Sequence, residues 1–272
     1  MIEIPLFFPN GSYKLFGVLH KPESDDLRGG VVFCHPFAEE KLWTHRVFVS
    51  FARELAKIGY AVLRFDYMGH GDSDGEFETS TVESRLLDIN CAIDMLQSET
   101  KNINTVGLLG LRFGATLAAY AAEHRNDIDM LVLWEPVVDG ERYMQEILRS
   151  NLTTQLAVYG KVTEKREDLI RKIRSGGTVN IEGYELTNTL FDQSSNINLL
   201  RENLYFTNNA LIVQCGKKDQ PLRKELKSLS EKYTNAELSH VEEEPFWREI
   251  KRYYGKADNL FSVTLDWMKK RK

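Results

Sequence analysis

The sequence has few cysteines, no long apolar run and no excess of positive charge. Its three cysteines, Cys34, Cys91 and Cys215, are too few and too dispersed for a disulfide framework or a zinc cluster. We therefore expect buried thiols in a reducing compartment, the cytoplasm, with no metal and no cofactor. No apolar window reaches the length of about 18 residues that a membrane span needs. The net charge of −5, with acidic and basic residues interspersed, argues against nucleic-acid binding.

The sequence does contain a regular alternation of strand and helix patterns. Two alternating segments around Asn10-Gly11-Ser12, "IEIPLFF" and "YKLFGVLH", predict an edge hairpin. Short apolar runs such as "GGVVFC", "TVGLLG" and "MLVLW" then alternate with segments whose apolar residues recur at helical spacing. Such a series predicts a mostly parallel sheet with helices on both faces.

The strand pattern stops after "MLVLWEP" and returns with "ALIVQCG". Residues 139–209, between them, are charged and are predicted to be helical throughout. We interpret this block as a helical cap, inserted between core parts 1–138 and 210–272. Because ligands bind at the carboxyl ends of the strands in open α/β sheets, the cap is expected to cover those ends.

The order of elements resembles the α/β-hydrolase superfamily along nearly the whole chain. Several segments are also similar to one bacterial group, the exosortase A system-associated hydrolase 2 proteins of exopolysaccharide gene clusters. The similar segments are "HPFAEEK" (35–41), "GLRFGA" (110–115), "LWEPVVDGERYMQEILR" (133–149), "GYELT" (183–187) and "EPFW" (244–247). The resemblance implies an α/β-hydrolase fold and a role beside a protein partner in exopolysaccharide synthesis or export.

The segment 110–114, Gly-Leu-Arg-Phe-Gly, lies where that superfamily carries its G-x-S-x-G nucleophile elbow. Arginine stays protonated and cannot act as the nucleophile. Two interpretations stay open for Arg112. With Phe113 at the start of the next helix, it can bind an anionic ligand. Alternatively, it forms an internal ion pair with Asp219 or Glu135.

The other two triad positions are incomplete as well. Asp219 follows the strand "LIVQCG" and matches the acid position, but it equally fits as a cap for a helix beginning at Leu222. At the histidine position the chain has Glu244-Pro245-Phe246-Trp247. His240 lies earlier, inside a strand pattern, and Glu243 and Glu244 are acidic residues near the missing base.

Two other motifs resemble nucleophile sites. Ser73 matches G-x-S-x-G within residues 71–75, but it lies between two aspartates in a polar loop with no helix directly after it. Cys34 and His35 are adjacent in a strand, so their side chains are expected to point to opposite faces. His35 and Phe37 stand where the superfamily has its oxyanion-hole loop, and the amide of Phe37 remains as one donor.

The sequence thus favours a degenerate, non-catalytic hydrolase-like protein that binds a small anionic or acyl ligand. The expected ligand-binding residues are Arg112, Phe113, His35, Phe37, Glu135 and Glu244. The alternative is a hydrolase or acyltransferase that acts on an ester, acyl or glycan substrate through Arg112, Asp219, Glu135 and Glu244. In a third hypothesis the cap only docks another protein.

Overall fold

An eight-stranded sheet organises the protein. The computed structural model describes residues 1–24, 27–100, 103–201, 205–248 and 255–271, with the backbone alone at 157–159. The strands of this sheet are β1 (Ile2–Asn10), β2 (Tyr13–Lys21), β3 (Gly29–Cys34), β4 (Tyr60–Phe65), β5 (Val106–Leu111), β6 (Met130–Trp134), β9 (Asn209–Gly216) and β10 (Asn235–Glu242). Their order is β1-β2-β4-β3-β5-β6-β9-β10, and every pair is parallel except those made by β2.

Helices cover both faces of the sheet. They are α1 (Glu39–Lys57), α2 (Val82–Glu99), α3 (Phe113–Glu123), α4 (Gly140–Tyr159), α5 (Arg166–Arg174), α6 (Asn188–Asn196), α7 (Lys224–Lys232) and α8 (Asp258–Lys269). Helices α1 and α8 pack on one face, and α2, α3 and α7 pack on the other. Every residue of β3 to β6 is buried, as expected for parallel strands covered on both sides. The predicted α/β-hydrolase fold is confirmed. Along the described residues, no helix combines the length and apolar character needed to cross a membrane.

The predicted edge hairpin is confirmed as β1 and β2, which pair from Ile2 with Lys21 to Asn10 with Tyr13. Gly11 turns the chain with a φ of 59°, a conformation that glycine adopts without strain. Strand β1 is the outer edge of the sheet, and it carries Pro5 and Pro9.

The segment between β6 and β9 contains α4, α5, α6 and a small antiparallel hairpin, β7 (Val179–Ile181) and β8 (Tyr184–Leu186). The prediction that this segment is helical throughout was wrong at the hairpin. Glu182 and Gly183 both have positive φ, 52° and 99°, as a tight hairpin turn requires. The division into a core and a cap at residues 139 and 209 stays a prediction.

Candidate functional site: a cleft above the β5–α3 turn

The turn between β5 and α3 has the sharp geometry expected of an elbow. Arg112 stands at its apex with φ 54° and ψ −124°, a region that non-glycine residues rarely occupy. A Cβ atom on Gly114 would lie 2.3 Å from the carbonyl oxygens of Cys34 and His35. On Gly110 it would lie 2.5 Å from the backbone of Ala115. Both glycines are therefore needed for α3 to approach β3 and β5 this closely.

We expect Gly114→Ala to lower the free energy of unfolding by about 1 to 3 kcal/mol, because the added methyl group overlaps backbone atoms that cannot rotate away. Gly107→Ala is the matched control in β5, where the methyl group meets the flexible Met130 side chain at 3.3 Å. Urea denaturation of both variants measures the difference. Equal stability of the two variants would contradict the close approach at Gly114.

The side chain of Arg112 is buried beside a carboxylate. Its Nε donates to Oε1 of Glu40 at 3.2 Å, and its Nη2 lies 3.7 Å from Oε2 of Glu146. The hydroxyl of Tyr143 donates to the other oxygen of Glu40 at 2.9 Å. The Arg112 guanidinium also lies over the rings of Tyr143 and Trp247, 5.3 and 5.6 Å from their centroids. Arg112 and Tyr143 thus hold one carboxylate between them.

Burial and charge oppose each other at this cluster. Burial alone would lower the pKa of Arg112, but the neighbouring Glu40, Tyr143 and Glu135 outweigh it, and the pKa is raised above its usual value. Burial raises the pKa of Glu40, while Arg112 and Tyr143 act to lower it. The charged form of Glu40 therefore depends on Arg112.

Arg112 lines a cleft of about 430 Å³ together with residues that follow β6 and β9. Within the described parts of the chain, four arginines face this cleft: Arg112, Arg142, Arg223 and Arg248. Four acids face it as well: Glu135, Asp139, Glu146 and Glu225. Among the described residues, no group of three or more His, Cys, Asp or Glu side chains is placed to hold a metal ion. The cleft is therefore polar, with both signs of charge on its wall.

Glu135 lies in this cleft, as predicted, but its partner is not Arg112. Its carboxylate lies 2.9 Å from Nη2 of Arg223 and accepts from the amide of Cys215 at 2.9 Å. Glu135 has a φ of 46° directly after β6. The prediction that Arg112 pairs with Glu135 or Asp219 was therefore wrong, since Glu40 takes that place.

Asp219 at the acid position and Glu244 at the histidine position do not line the cleft, although Trp247 of the same segment does. Asp219 is exposed in the turn that follows β9, and α7 begins at Lys224 with Arg223 as its N-cap, so Asp219 caps no helix at Leu222. Glu244 is exposed and does not line the cleft.

His240 and Glu243, which lie near the histidine position, do not line the cleft either. His240 lies within β10 and does not line the cleft. Glu243 is buried, and its carboxylate accepts from the amide of Asn259 at 2.8 Å, at the beginning of α8. Its charge therefore stabilises the amino terminus of that helix.

The predicted oxyanion loop supports the cleft without lining it. His35 stacks on Phe48 with ring centroids 4.6 Å apart and faces a different cavity. Burial lowers its pKa well below the usual range. Phe37 packs edge-on against Phe113 at 6.0 Å, and Phe113 stacks on Tyr143 at 5.6 Å. The rings of Phe37 and Phe113 thus hold Tyr143 in place, and neither residue lines the cleft.

Ser73 and Cys34, the two other residues that resemble nucleophiles in the sequence, do not line the cleft. The Ser73 hydroxyl donates to the carbonyl of Asp66 at 2.6 Å and accepts from the amide of Phe16 at 2.9 Å. Cys34 is fully buried, and burial raises the pKa of its thiol to about 12. Neither side chain has the surroundings of an activated nucleophile.

Sequence reasoning missed Glu40, Glu146 and Arg223. A signal for Glu40 was present, because an acid in the first turn of the helix after β3 lies near the elbow in this topology. No comparable signal marks Arg223, whose place depends on the length of the turn after β9.

Known proteins of similar sequence cover only part of this chain. An uncharacterized protein of Rickettsia prowazekii (strain Madrid E) is 30% identical over 109 residues, which are 40% of this chain and 44% of that protein. The chain spans about half the length of the curated relatives it matches.

Solved structures are similar over nearly the whole chain. Est1E from Butyrivibrio proteoclasticus, with bound ferulic acid, is 19% identical with a TM-score of 0.68, covering 98% of both chains. The Pyrococcus furiosus esterase PF2001 is 17% identical with a TM-score of 0.66, covering 99% of this chain and 91% of the esterase. At these identities the likeness shows the fold alone. The model of the family described as serine aminopeptidase, S33, matches residues 25–210, and the chain therefore belongs to that family of α/β-hydrolases.

Proposed function

We propose that this chain is a non-catalytic member of its family that binds an anionic ligand in the cleft above Arg112. One observation carries the proposal: the apex of the elbow, where a serine hydrolase of this fold presents its nucleophile, holds a guanidinium. The resemblance of five segments to exosortase-associated proteins supports an accessory role in exopolysaccharide synthesis or export, with a protein partner, in the cytoplasm.

The distribution of ion pairs favours an anion over a cation. Among the described residues, the four acids of the cleft all have partners: Glu135 has Arg223, Glu146 has Arg142, Glu225 has Arg223, and Asp139 accepts from the amide of Arg142. Arg248 is exposed, and among the described residues no carboxylate lies within 4.0 Å of its guanidinium. Together with the Nη atoms of Arg112, it supplies donors that an anionic group can use.

The size of the cleft fits a small molecule. A volume of about 430 Å³ lies within the range typical of ligand pockets. Tyr143 and Trp247 add aromatic surface beside Arg112. A sugar phosphate or an acyl carboxylate has both the charge and the apolar area for this site. The alternative is a hydrolase or acyltransferase that acts through Arg112, Asp219, Glu135 and Glu244. It has less support, because Arg112 and Glu135 line the cleft but Asp219 and Glu244 do not.

We expect the purified protein to show no hydrolysis of short-chain nitrophenyl esters above the buffer blank, and no labelling by a fluorophosphonate. The reason is that Arg112 and Pro245 stand at the nucleophile and base positions. Arg112→Ser is expected to remain inactive, because a serine without a base is a weak nucleophile. Saturable hydrolysis that follows the protein through purification would overturn the non-catalytic assignment.

Ligand binding is tested by thermal melts with a panel of sugar phosphates and acyl carboxylates. We expect at least one ligand to stabilise the wild-type protein, by about 2.7 kcal/mol at a concentration of 100 Kd. Arg248→Gln is expected to reduce the binding free energy of that ligand by about 1.5 to 3 kcal/mol, which is the contribution of a charged hydrogen bond. Arg171→Gln, an exposed arginine on α5, is the control and keeps the affinity. A panel without any stabilising ligand contradicts the proposal.

A further inference from the structure

A second cavity of about 250 Å³ lies beside the first turn of α1. Lys41 lines this cavity, whereas the residue before it, Glu40, reaches Arg112. The two cavities share no lining residue among those that the structure describes. Leu42 is exposed and lines the second cavity, so the space is open to solvent beside that side chain.

A buried arginine without a carboxylate partner faces this cavity. Arg64, in β4, is only 8% exposed, and its Nε donates to Nε2 of His20 at 2.9 Å. Among the described residues, no carboxylate lies within 4.0 Å of its guanidinium. Burial and the charge of Arg64 lower the pKa of His20 to about 4, so the imidazole is neutral near pH 7.

The charge of Arg64 is therefore not cancelled by the group that it bonds. Burial lowers the pKa of Arg64 to about 10, although Glu3 and Asp66 act in the opposite direction. A buried cation of this kind is costly unless an anion reaches it.

The other polar side chains of the cavity do not neutralise the charge of Arg64 by direct contact. Asp66 is used by Lys41, whose Nζ lies 2.6 Å from its Oδ1, and by the amide of Asp72, which donates to its Oδ2 at 3.2 Å. His35 is 2% exposed, and within the described chain its Nδ1 has no hydrogen-bond partner. Burial, Arg64 and Lys41 all lower the pKa of His45. The described lining carries two cations, Lys41 and Arg64, and two carboxylates, Asp66 and the exposed Asp72. Among the described residues, the buried guanidinium of Arg64 has no carboxylate within 4.0 Å.

We propose that this cavity binds a small oxyanion of the phosphate class, with Arg64 as its counter-ion. The planar guanidinium fork matches two oxygens of a tetrahedral anion. Because a water occupies about 30 Å³ of the liquid, the cavity holds such an anion with a few waters. Nothing in this assignment depends on the ligand of the cleft above Arg112.

The test is a titration with inorganic phosphate at constant ionic strength, followed by calorimetry and by the imidazole signals of His45. We expect saturable binding that Arg64→Gln weakens about 10- to 100-fold, as the loss of a charged hydrogen bond predicts. Arg248→Gln is the control: it changes only the cleft above Arg112, and we expect it to keep the wild-type affinity for phosphate. Acetate is expected to bind more weakly than phosphate.

A second pair of variants keeps the test valid if Arg64→Gln fails to fold. Leu42→Glu puts a negative charge at the exposed opening of the cavity, and we expect it to lower the affinity for phosphate several-fold. Leu42→Gln is the neutral control and should keep the affinity. The proposal is overturned if the wild-type protein shows no saturable phosphate binding. It is also overturned if Arg248→Gln abolishes phosphate binding while Leu42→Glu keeps the wild-type affinity. Acetate binding as tight as phosphate binding overturns the assignment to the phosphate class.

Discussion

Arg112→Ala is expected to lower the free energy of unfolding by about 3 to 5 kcal/mol, because it leaves the carboxylate of Glu40, whose side chain is only 14% exposed, without its cation. The loss should be larger at pH 8 than at pH 5. Without Arg112, burial raises the pKa of Glu40 further above its unfolded value, so protonation at low pH restores part of the stability. Urea denaturation at the two pH values measures both effects.

Two comparisons isolate the ion pair as the cause. Arg142→Ala removes an exposed arginine whose contact with Glu146 is 3.6 Å long, and we expect a change within about 0.5 kcal/mol. Adding Glu40→Gln to Arg112→Ala should recover part of the loss, because the buried charge is then gone as well. An Arg112→Ala variant that unfolds like the wild-type protein would mean that the guanidinium lies in solvent.

Acid is expected to destabilise the protein through its buried histidines, and His20→Gln should reduce that effect. The pKa of His20 is about 4 in the folded protein, against 6.5 for an ordinary histidine. The unfolded chain therefore binds more protons, and folding stability falls as the pH decreases from 6.5 to 4. At 1.36 kcal/mol per pKa unit, His20 contributes on the order of 3 kcal/mol to the fall. His35 and His70, whose pKa values burial also lowers, act in the same direction.

Glutamine is the informative replacement for His20 because its amide oxygen can still accept from Arg64. The free energy of unfolding is measured at several pH values between 7 and 4 for the wild type and for His20→Gln. The control is His124→Gln, an exposed histidine for which we expect the wild-type pH dependence. A slope of His20→Gln equal to that of the wild type would show that His20 gains its proton as easily in the folded protein as in the unfolded chain.

The elbow between β5 and α3 could be predicted from the sequence, but the ion-pair partner of Arg112 could not. Gly110 and Gly114 stand at the spacing of the G-x-S-x-G elbow, so a short motif locates the turn. Glu40, in contrast, lies 72 residues from Arg112, and it reaches the cleft because Ala38 turns the chain with a φ of 47° before α1. Hydrophobic periodicity carries no information about such a turn.

The errors at Asp219 and at the β7–β8 hairpin have the same origin. The helix cap predicted at Asp219 is wrong because α7 begins only at Lys224, and the turn after Gly216 exposes Asp219 to solvent. The strands β7 and β8 have three residues each, which is too short for an alternating pattern to be distinguished from a helix. The strands of the central sheet are longer, and β3 to β6 are buried throughout, so their patterns identified the fold.

The two prolines of β1 make this edge of the sheet a poor template for a strand of another molecule. An edge strand offers unpaired amides that can recruit a strand from another molecule. Exposed Ile2, Ile4 and Phe7 would favour such recruitment. Pro5 and Pro9 have no amide proton, so they interrupt the row of donors along the outer side of β1. Intermolecular β-pairing is blocked at two points of a nine-residue edge, which keeps an apolar strand compatible with a monomeric sheet.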